Sequence, residues 1–294
     1  MLYIVSPLDI LSSLLPTFSR ARIALEKIES LGLSLEQDST EHEAAGQLGR
    51  EADWKEIRLE GVTHTYYREN ETSRFTLGPV DLTLVPGEMV FIVGGNSSGK
   101  TTLAKLITGL YSPEGGEVRI NGRAVADETR DAYRQHFSMV FSDFYLFDTL
   151  LGLDNPAFDL DRQAQKYLDK LQLSGSVEIK GGALSTTSVS QGQRKRLALL
   201  TAYLEDRPIY VFDEWAADQD PVFKEVFYLH LLPELKARGK TVLVISHDDR
   251  YYYVADRIVK LDYGKVEYDR YLTAGPEAFV WETFNKLGQA PVAR

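Results

Sequence analysis

Apolar residues along this chain follow two periods, and each change of period marks a change of element. Met89-Val90-Phe91-Ile92-Val93, Ile209-Tyr210-Val211-Phe212 and Thr241-Val242-Leu243-Val244-Ile245 are nearly unbroken apolar runs. Runs of that length, bounded by turn residues and acids, suit strands covered on both faces, so they predict the interior of a parallel sheet. Val80-Asp81-Leu82-Thr83-Leu84 instead alternates before Pro86-Gly87, and residues 57–59 and 62–66 read as short strands. That pattern predicts a half-buried antiparallel sheet. Leu103, Leu106, Ile107 and Leu110 return at helical spacing and predict a helix with one apolar stripe. The whole is an α/β chain.

The two ends follow neither pattern. Residues 1–15 are apolar but contain Pro7 and Asp9 and stop at Pro16, short of the roughly 20 residues a spanning helix needs. No basic residue precedes this run and no small-residue cleavage site follows, which argues against a secretory signal. In residues 19–31, Ala21, Leu25 and Ile28 fall on one face and Gly32 is placed as a stop, predicting a short amphipathic helix. It reads either as an arm packed on the body or as the cytoplasmic end of a membrane helix. Residues 34–51 are acidic and poor in apolar residues, a linker composition. Near the other end, residues 276–287 predict a short helix with Phe279, Val280 and Phe284 on one face.

Charge and cysteine content narrow the chemistry. Thirty-three basic against 43 acidic residues leave a net charge of −10, unlike a surface built to neutralise nucleic-acid phosphates or to lie on anionic lipid. The absence of cysteine excludes disulfides, thiolate metal sites and thiol nucleophiles.

The apolar run 89–93 leads directly into Gly94-Gly95-Asn96-Ser97-Ser98-Gly99-Lys100-Thr101, a complete G-x-x-x-x-G-K-[ST] loop followed by Thr102 and the predicted helix. Gly94, Gly95 and Gly99 allow tight or left-handed turns, so that successive N–H groups face phosphate oxygens at the positive end of that helix. Lys100 is placed to neutralise β and γ phosphates, and Thr101 to offer a hydroxyl to Mg²⁺. The run 209–212 ends in Asp213-Glu214, one carboxylate for the metal and the next for the attacking water. The run 241–245 ends in Ser246-His247. Because ligands bind beyond the carboxyl ends of parallel strands, His247 is expected at the γ-phosphate. Ser190-Gln191-Gly192-Gln193 opens a further helix through Leu200, either a second anion site or a plain serine cap on a basic surface helix.

Taken together these residues resemble an ATP-binding cassette domain over residues 54–269: a Walker A loop at 94–101, a signature at 190–193, a Walker B strand ending at Asp213 and Glu214, and a switch histidine, His247. The resemblance implies a P-loop NTPase fold with a RecA-like parallel sheet, an antiparallel β subdomain and an inserted α-helical subdomain at about 142–204. It implies ATP and Mg²⁺ as ligands and hydrolysis of ATP. It also implies a head-to-tail dimer with a second copy, in which Ser190, Gly192 and Gln193 of one cassette meet the nucleotide held by the other. Tyr66 matches the adenine-stacking position, with Tyr67 as its rival and core packing as the plain alternative.

Departures from the family pattern sharpen the resemblance. Ser142 stands at the position of a metal-contacting glutamine, with Asp143 as a neighbour able to share the task, and Gln191 replaces a glycine of the signature. The stretches 141–148 and 213–221 resemble bacterial cyclic-peptide and siderophore-peptide exporters, which include the pyoverdine- and syringomycin-type half transporters. This implies that residues 1–33 are the end of a membrane domain and its connector, 34–51 a linker, 52–272 the cassette and 273–294 a tail. It further implies a membrane-domain partner contacted through residues 144–173, a place on the cytoplasmic face of the bacterial inner membrane, and no nucleic-acid partner. Two other readings remain: a regulatory cassette with little turnover, motivated by Ser142 and Gln191, and a soluble cassette ATPase acting on nucleic acid.

Overall fold

The computed structural model describes Arg22 and residues 54–66, 75–150 and 160–272. The chain divides into two units, Met1–Gln47 and Leu48–Arg294, and every described strand lies in the second. The apolar opening, the amphipathic connector, the acidic linker, Tyr67 and the tail 273–294 lie outside the described residues, Arg22 apart.

The strands are β1 (Ile57–Tyr66), β2 (Phe75–Leu84), β3 (Met89–Gly94), β4 (Gly115–Ile120), β5 (Arg123–Ala124), β6 (Phe137–Val140), β7 (Ile179–Lys180), β8 (Ala183–Leu184), β9 (Ile209–Asp213), β10 (Thr241–Ile245), β11 (Arg257–Asp262) and β12 (Lys265–Tyr271). The α-helices are α1 (Lys100–Ile107), α2 (Arg130–Arg134), α3 (Leu160–Lys170), α4 (Gln191–Glu205), α5 (Pro221–Val226) and α6 (Leu232–Ala237). A six-stranded sheet runs in the order β12-β11-β3-β10-β9-β6. Five of its strands are parallel and β12 pairs antiparallel at the edge. A second, antiparallel sheet has the order β2-β1-β4-β5.

The unbroken apolar runs form the middle of the first sheet because successive side chains point to opposite faces and both faces are covered. Phe91, Tyr210, Phe212, Val242 and Val244 enter one core with Leu199, Leu200, Phe227 and Leu235 from the helices. Val90, Ile92, Val211, Leu243 and Ile245 enter the other, with Leu103, Leu106 and Ile107 of α1 and with Leu59, Val80 and Leu82 of the antiparallel sheet. Each large side chain so buried contributes about 1.5–3 kcal/mol, and together they hold the carboxyl ends of β3, β10 and β9 in register (Ile245 opposite both Ile92 and Asp213).

Three expectations need correction. Residues 57–66 form one strand, not two, because bulges beside Gly61 (φ 57°) let the pairing continue across the irregular stretch. Leu110 is exposed, since α1 ends at Ile107 and the chain turns at Gly109 (φ 72°). Among the described residues of the segment 144–173, residues 144–150 are not helical and the helix is α3, while β7 and β8 form a hairpin inside the expected helical subdomain. The absence of helical periodicity in Phe144-Tyr145-Leu146-Phe147 agrees with this.

Candidate active site

The loop between β3 and α1 is shaped by three left-handed residues: Gly94 (φ 146°), Ser97 (φ 60°) and Gly99 (φ 101°). A Cβ at Gly94 would stand 2.2 Å from the Leu261 carbonyl oxygen and 2.8 Å from Ser98 Oγ, so no other residue fits there without moving β11. One at Gly99 would meet Leu77 Cδ1 at 2.8 Å and the Phe75 ring at 3.3 Å. Gly95 lies in open space without a positive φ; its carbonyl closes a tight turn by accepting from the Ser98 N–H at 3.3 Å, and Ser97 takes the third left-handed position. Asn96 and Ser97 are exposed, Thr102 is half-buried, and Ser98 is buried with its Oγ unpaired among the described residues.

At the start of α1, the loop closes on its own lysine. Lys100 is buried and its Nζ donates to the carbonyls of Gly94 (3.2 Å) and Gly95 (2.8 Å). Burial pulls its ammonium below the usual lysine range, opposed by the carboxylates of Glu214 and Asp213. Thr101 Oγ1 donates to Asp213 Oδ2 at 2.9 Å. Asp213 is buried at the end of β9, and its other oxygen, Oδ1, is unpaired among the described residues. A buried unpaired carboxylate oxygen beside a hydroxyl is a donor set for a hard cation. Among the described residues no three His, Cys, Asp or Glu side chains converge to hold a metal by themselves. The pair thus fits Mg²⁺, which keeps water and phosphate oxygens in most of its positions.

Burial pushes the Asp213 carboxyl above the ordinary carboxylate range, against the Thr101 hydrogen bond. A carboxyl raised in this way opposes folding once ionised: the cost sets in as the pH rises past its unfolded-state pKa and is complete above the raised folded-state pKa. Asp213→Asn is therefore expected to raise the melting temperature of nucleotide-free protein at pH 7 by roughly 2–4 °C, the shift about 1 kcal/mol produces at this size. The gain should shrink as the pH falls through the raised pKa and vanish where the carboxyl is protonated in both states. Thermal melts of both proteins from pH 4 to 8 check this, and a variant less stable at pH 7 contradicts it.

Glu214, next along, has a left-handed backbone (φ 50°), a conformation that costs a non-glycine residue about 1 kcal/mol. Its N–H donates to the Ile245 carbonyl at 3.1 Å, fastening the end of β9 to that of β10. Its Oε1 lies 2.8 Å from His247 Nε2. The two residues singled out at separate strand ends are thus brought together. Ser246 beneath His247 is held by Tyr228, whose hydroxyl is 2.7 Å from Ser246 Oγ, and by Tyr252, which donates to its carbonyl at 3.2 Å. Tyr228 sits in a π-helical turn, Phe227–Leu231, immediately before α6. There Pro233 lacks the N–H that would continue an α-helical ladder.

Ser190 caps α4. Its Oγ accepts from the Gln193 N–H (3.3 Å), while Gln193 Oε1 accepts from the Ser190 N–H (3.1 Å) and Gln193 Nε2 donates to Ser176 Oγ (3.0 Å). Gly192 lies against the segment after Glu214, where Gln219 Nε2 donates to its carbonyl at 3.1 Å. Gln191 is exposed at the first position of the helix. The plain alternative of a basic surface helix is incorrect at its centre. Lys195 is 2% exposed, with Nζ 2.8 Å from Asp218 Oδ2 and 3.0 Å from the Glu214 carbonyl oxygen. Sequence reasoning missed this residue, although Lys195, Leu199 and Tyr203 share one i, i+4 stripe and all are buried.

Two further candidates lie at the margin. Tyr66 ends β1 45% exposed, and its cross-strand neighbour Phe75 is the ring that lines Gly99. An open aromatic face in that place suits a stacked base. Ser142 is exposed in a turn just beyond β6, whose Val140 lies beside Phe212. It is Asp143, 3.8 Å from Lys105, whose charge acts on Asp213.

Residues 77–217 match the family described as ABC transporter. The chain is 48% identical over 274 residues to the ATP-binding protein SyrD of Pseudomonas syringae pv. syringae, across 91% of this chain and 48% of that protein. It is 31% identical over 235 residues to the probable syringafactin export ATP-binding/permease protein SyfD of Pseudomonas syringae pv. syringae strain B728a, across 75% of this chain and 35% of that protein. The chain thus spans about half or less of the length of these relatives. Among solved structures, the ATP-binding cassette MJ0796, in a dimeric post-hydrolysis state bound to ADP and Pi, superposes with a TM-score of 0.64 at 27% identity, covering 74% of this chain and 99% of that one.

Proposed function

Because this chain contains an ABC transporter ATP-binding domain, we propose that it binds ATP with Mg²⁺, hydrolyses it as a head-to-tail dimer, and drives export of a peptide of the cyclic or siderophore type through a membrane domain. The observation that carries this is the meeting of Lys100, Thr101, Asp213, Glu214 and His247 at the carboxyl ends of three adjacent parallel strands.

In this reading the N–H groups of residues 95–101 and the Lys100 ammonium bind the β and γ phosphates, and Tyr66 stacks on the adenine. Thr101 and Asp213 would hold Mg²⁺, assisted by Ser142 or Asp143, and the ion would supply positive charge against that of the phosphates. The Glu214 carboxylate takes the proton of the attacking water, and His247 orients that carboxylate and contacts the γ-phosphate. Ser190, Gly192 and Gln193 serve the nucleotide of the second copy. In support, MJ0796 is described as a dimeric cassette, and in this chain the signature is engaged with Ser176 and Gln219 rather than with the 94–101 loop.

A membrane partner is supported by the ATP-binding/permease relative. An exposed aromatic pair, Tyr145 and Phe147, with ring centroids 4.9 Å apart, offers it an apolar contact. Among the described residues no helix is long and apolar enough to cross a membrane. The proposed site of action at the inner membrane's cytoplasmic face rests on the membrane partner.

Phosphate release from Mg-ATP, measured together with light scattering, tests the reading. Turnover with an ATP-dependent doubling of mass is expected. Binding without turnover favours the regulatory cassette, and absence of nucleotide binding removes the reading altogether.

A further inference from the structure

Resting on the ATPase reading above, we propose that Lys195 is a positioning residue for Glu214: its ammonium ties α4 to the Glu214 carbonyl and to Asp218, and so holds the left-handed peptide from which the Glu214 carboxylate reaches His247.

Three observations lead there. A lysine 2% exposed is expensive to desolvate, and a Leu or Met in its place would pack without that penalty. Its carboxylate contact, Asp218, is half exposed and would be hydrated in the absence of the lysine. The other contact of this ammonium is with the backbone oxygen of a residue whose φ of 50° is intrinsically unfavourable. The tie is made twice, since Trp215 Nε1 donates to the Lys195 carbonyl at 2.9 Å, and Trp215 is stacked on Phe227 with centroids 4.4 Å apart. Arg196 continues it by donating to Gln219 Oε1 (2.9 Å) and Asp220 Oδ2 (2.7 Å). The peptide of Glu214 is therefore gripped from β10 on one side, through Ile245, and from α4 on the other. The same helix begins at Ser190, so the residues proposed to serve the second copy's nucleotide and the base serving this copy's own are one mechanical unit.

The test uses the full chain with Lys195→Met, which keeps the unbranched stem, alone and combined with Glu214→Gln. Lys195→Met is expected to lower kcat about tenfold, as a displacement of a fraction of an ångström does. The KM for ATP and the melting temperature should stay close to wild type, and the residual turnover of Glu214→Gln should fall no further in the double variant. A kcat equal to wild type overturns the inference. So does an equal loss in both backgrounds, or a loss of nucleotide binding or fold, each of which marks a general structural role. A second readout needs no turnover. The His247 ring resonances of nucleotide-free protein should move in Lys195→Met as the Glu214 hydrogen bond loosens, and unmoved resonances overturn the inference. Wild-type protein that releases no phosphate yet shows moved His247 signals refutes the ATPase reading and leaves the positioning role of Lys195 standing.

Discussion

Glu214→Gln is expected to lower ATP turnover by at least about a hundredfold while nucleotide binding persists, since a positioned general base contributes that much or more. The substitution is nearly isosteric, and the amide can still bond His247. The segment around it is fastened by main-chain bonds, from Glu214 N–H to Ile245 and from Lys195 to the Glu214 carbonyl, which do not involve the side chain. The loss should therefore fall on kcat and leave KM and the melting temperature close to wild type. Without cleavage, the ATP-bound dimer should persist, and light scattering at saturating Mg-ATP should report twice the mass of one chain. A variant with wild-type turnover would take the role of base away from Glu214. A variant that remains monomeric in ATP would count against the signature of one copy closing the site of another.

Lys100→Met is expected to weaken Mg-ATP binding about a hundredfold, the equivalent of roughly 3 kcal/mol and the magnitude of one or two charge-assisted hydrogen bonds. In the nucleotide-free protein the Lys100 ammonium is already folded back onto the carbonyls of Gly94 and Gly95, with the carboxylates of Asp213 and Glu214 nearby. It enters binding pre-placed, so little ordering entropy opposes its contact with phosphate. Burial has already removed most of its water, the condition under which a charge–charge contact is strongest. Methionine fills the stem's volume without the charge, so the fold should survive, and calorimetric titration with Mg-ATP separates lost affinity from lost protein. Equal affinity in the two proteins would mean that the loop N–H groups carry the phosphate unaided.

Much of the site was legible in one dimension. The 94–101 loop could be read because its glycines, lysine and threonine are contiguous, and because the requirement for a positive φ acts on single residues such as Gly94 and Gly99. The three central strands could be read because covering on both faces leaves no polar position inside them. Short elements could not. β6 has four residues including a buried serine, and β7 and β8 have two each, too few for a period to emerge. Lys195 was concealed by its charge: the spacing marked its face as buried, while its residue type argued the opposite.

What the amino-acid order determined by itself is therefore local: a phosphate loop between an apolar strand and a helix, acids at the end of a second strand, a histidine at the end of a third, and a serine-capped helix. Tertiary structure decided which of these meet. Thr101 reaches Asp213 across 112 positions and Glu214 reaches His247 across 33. The left-handed peptide at Glu214 and the buried ammonium beside it exist only because sheet register and helix packing hold them. Local preferences extend over a few residues of chain, whereas these contacts depend on the parallel alignment of β3, β10 and β9, which side chains from both cores fix jointly.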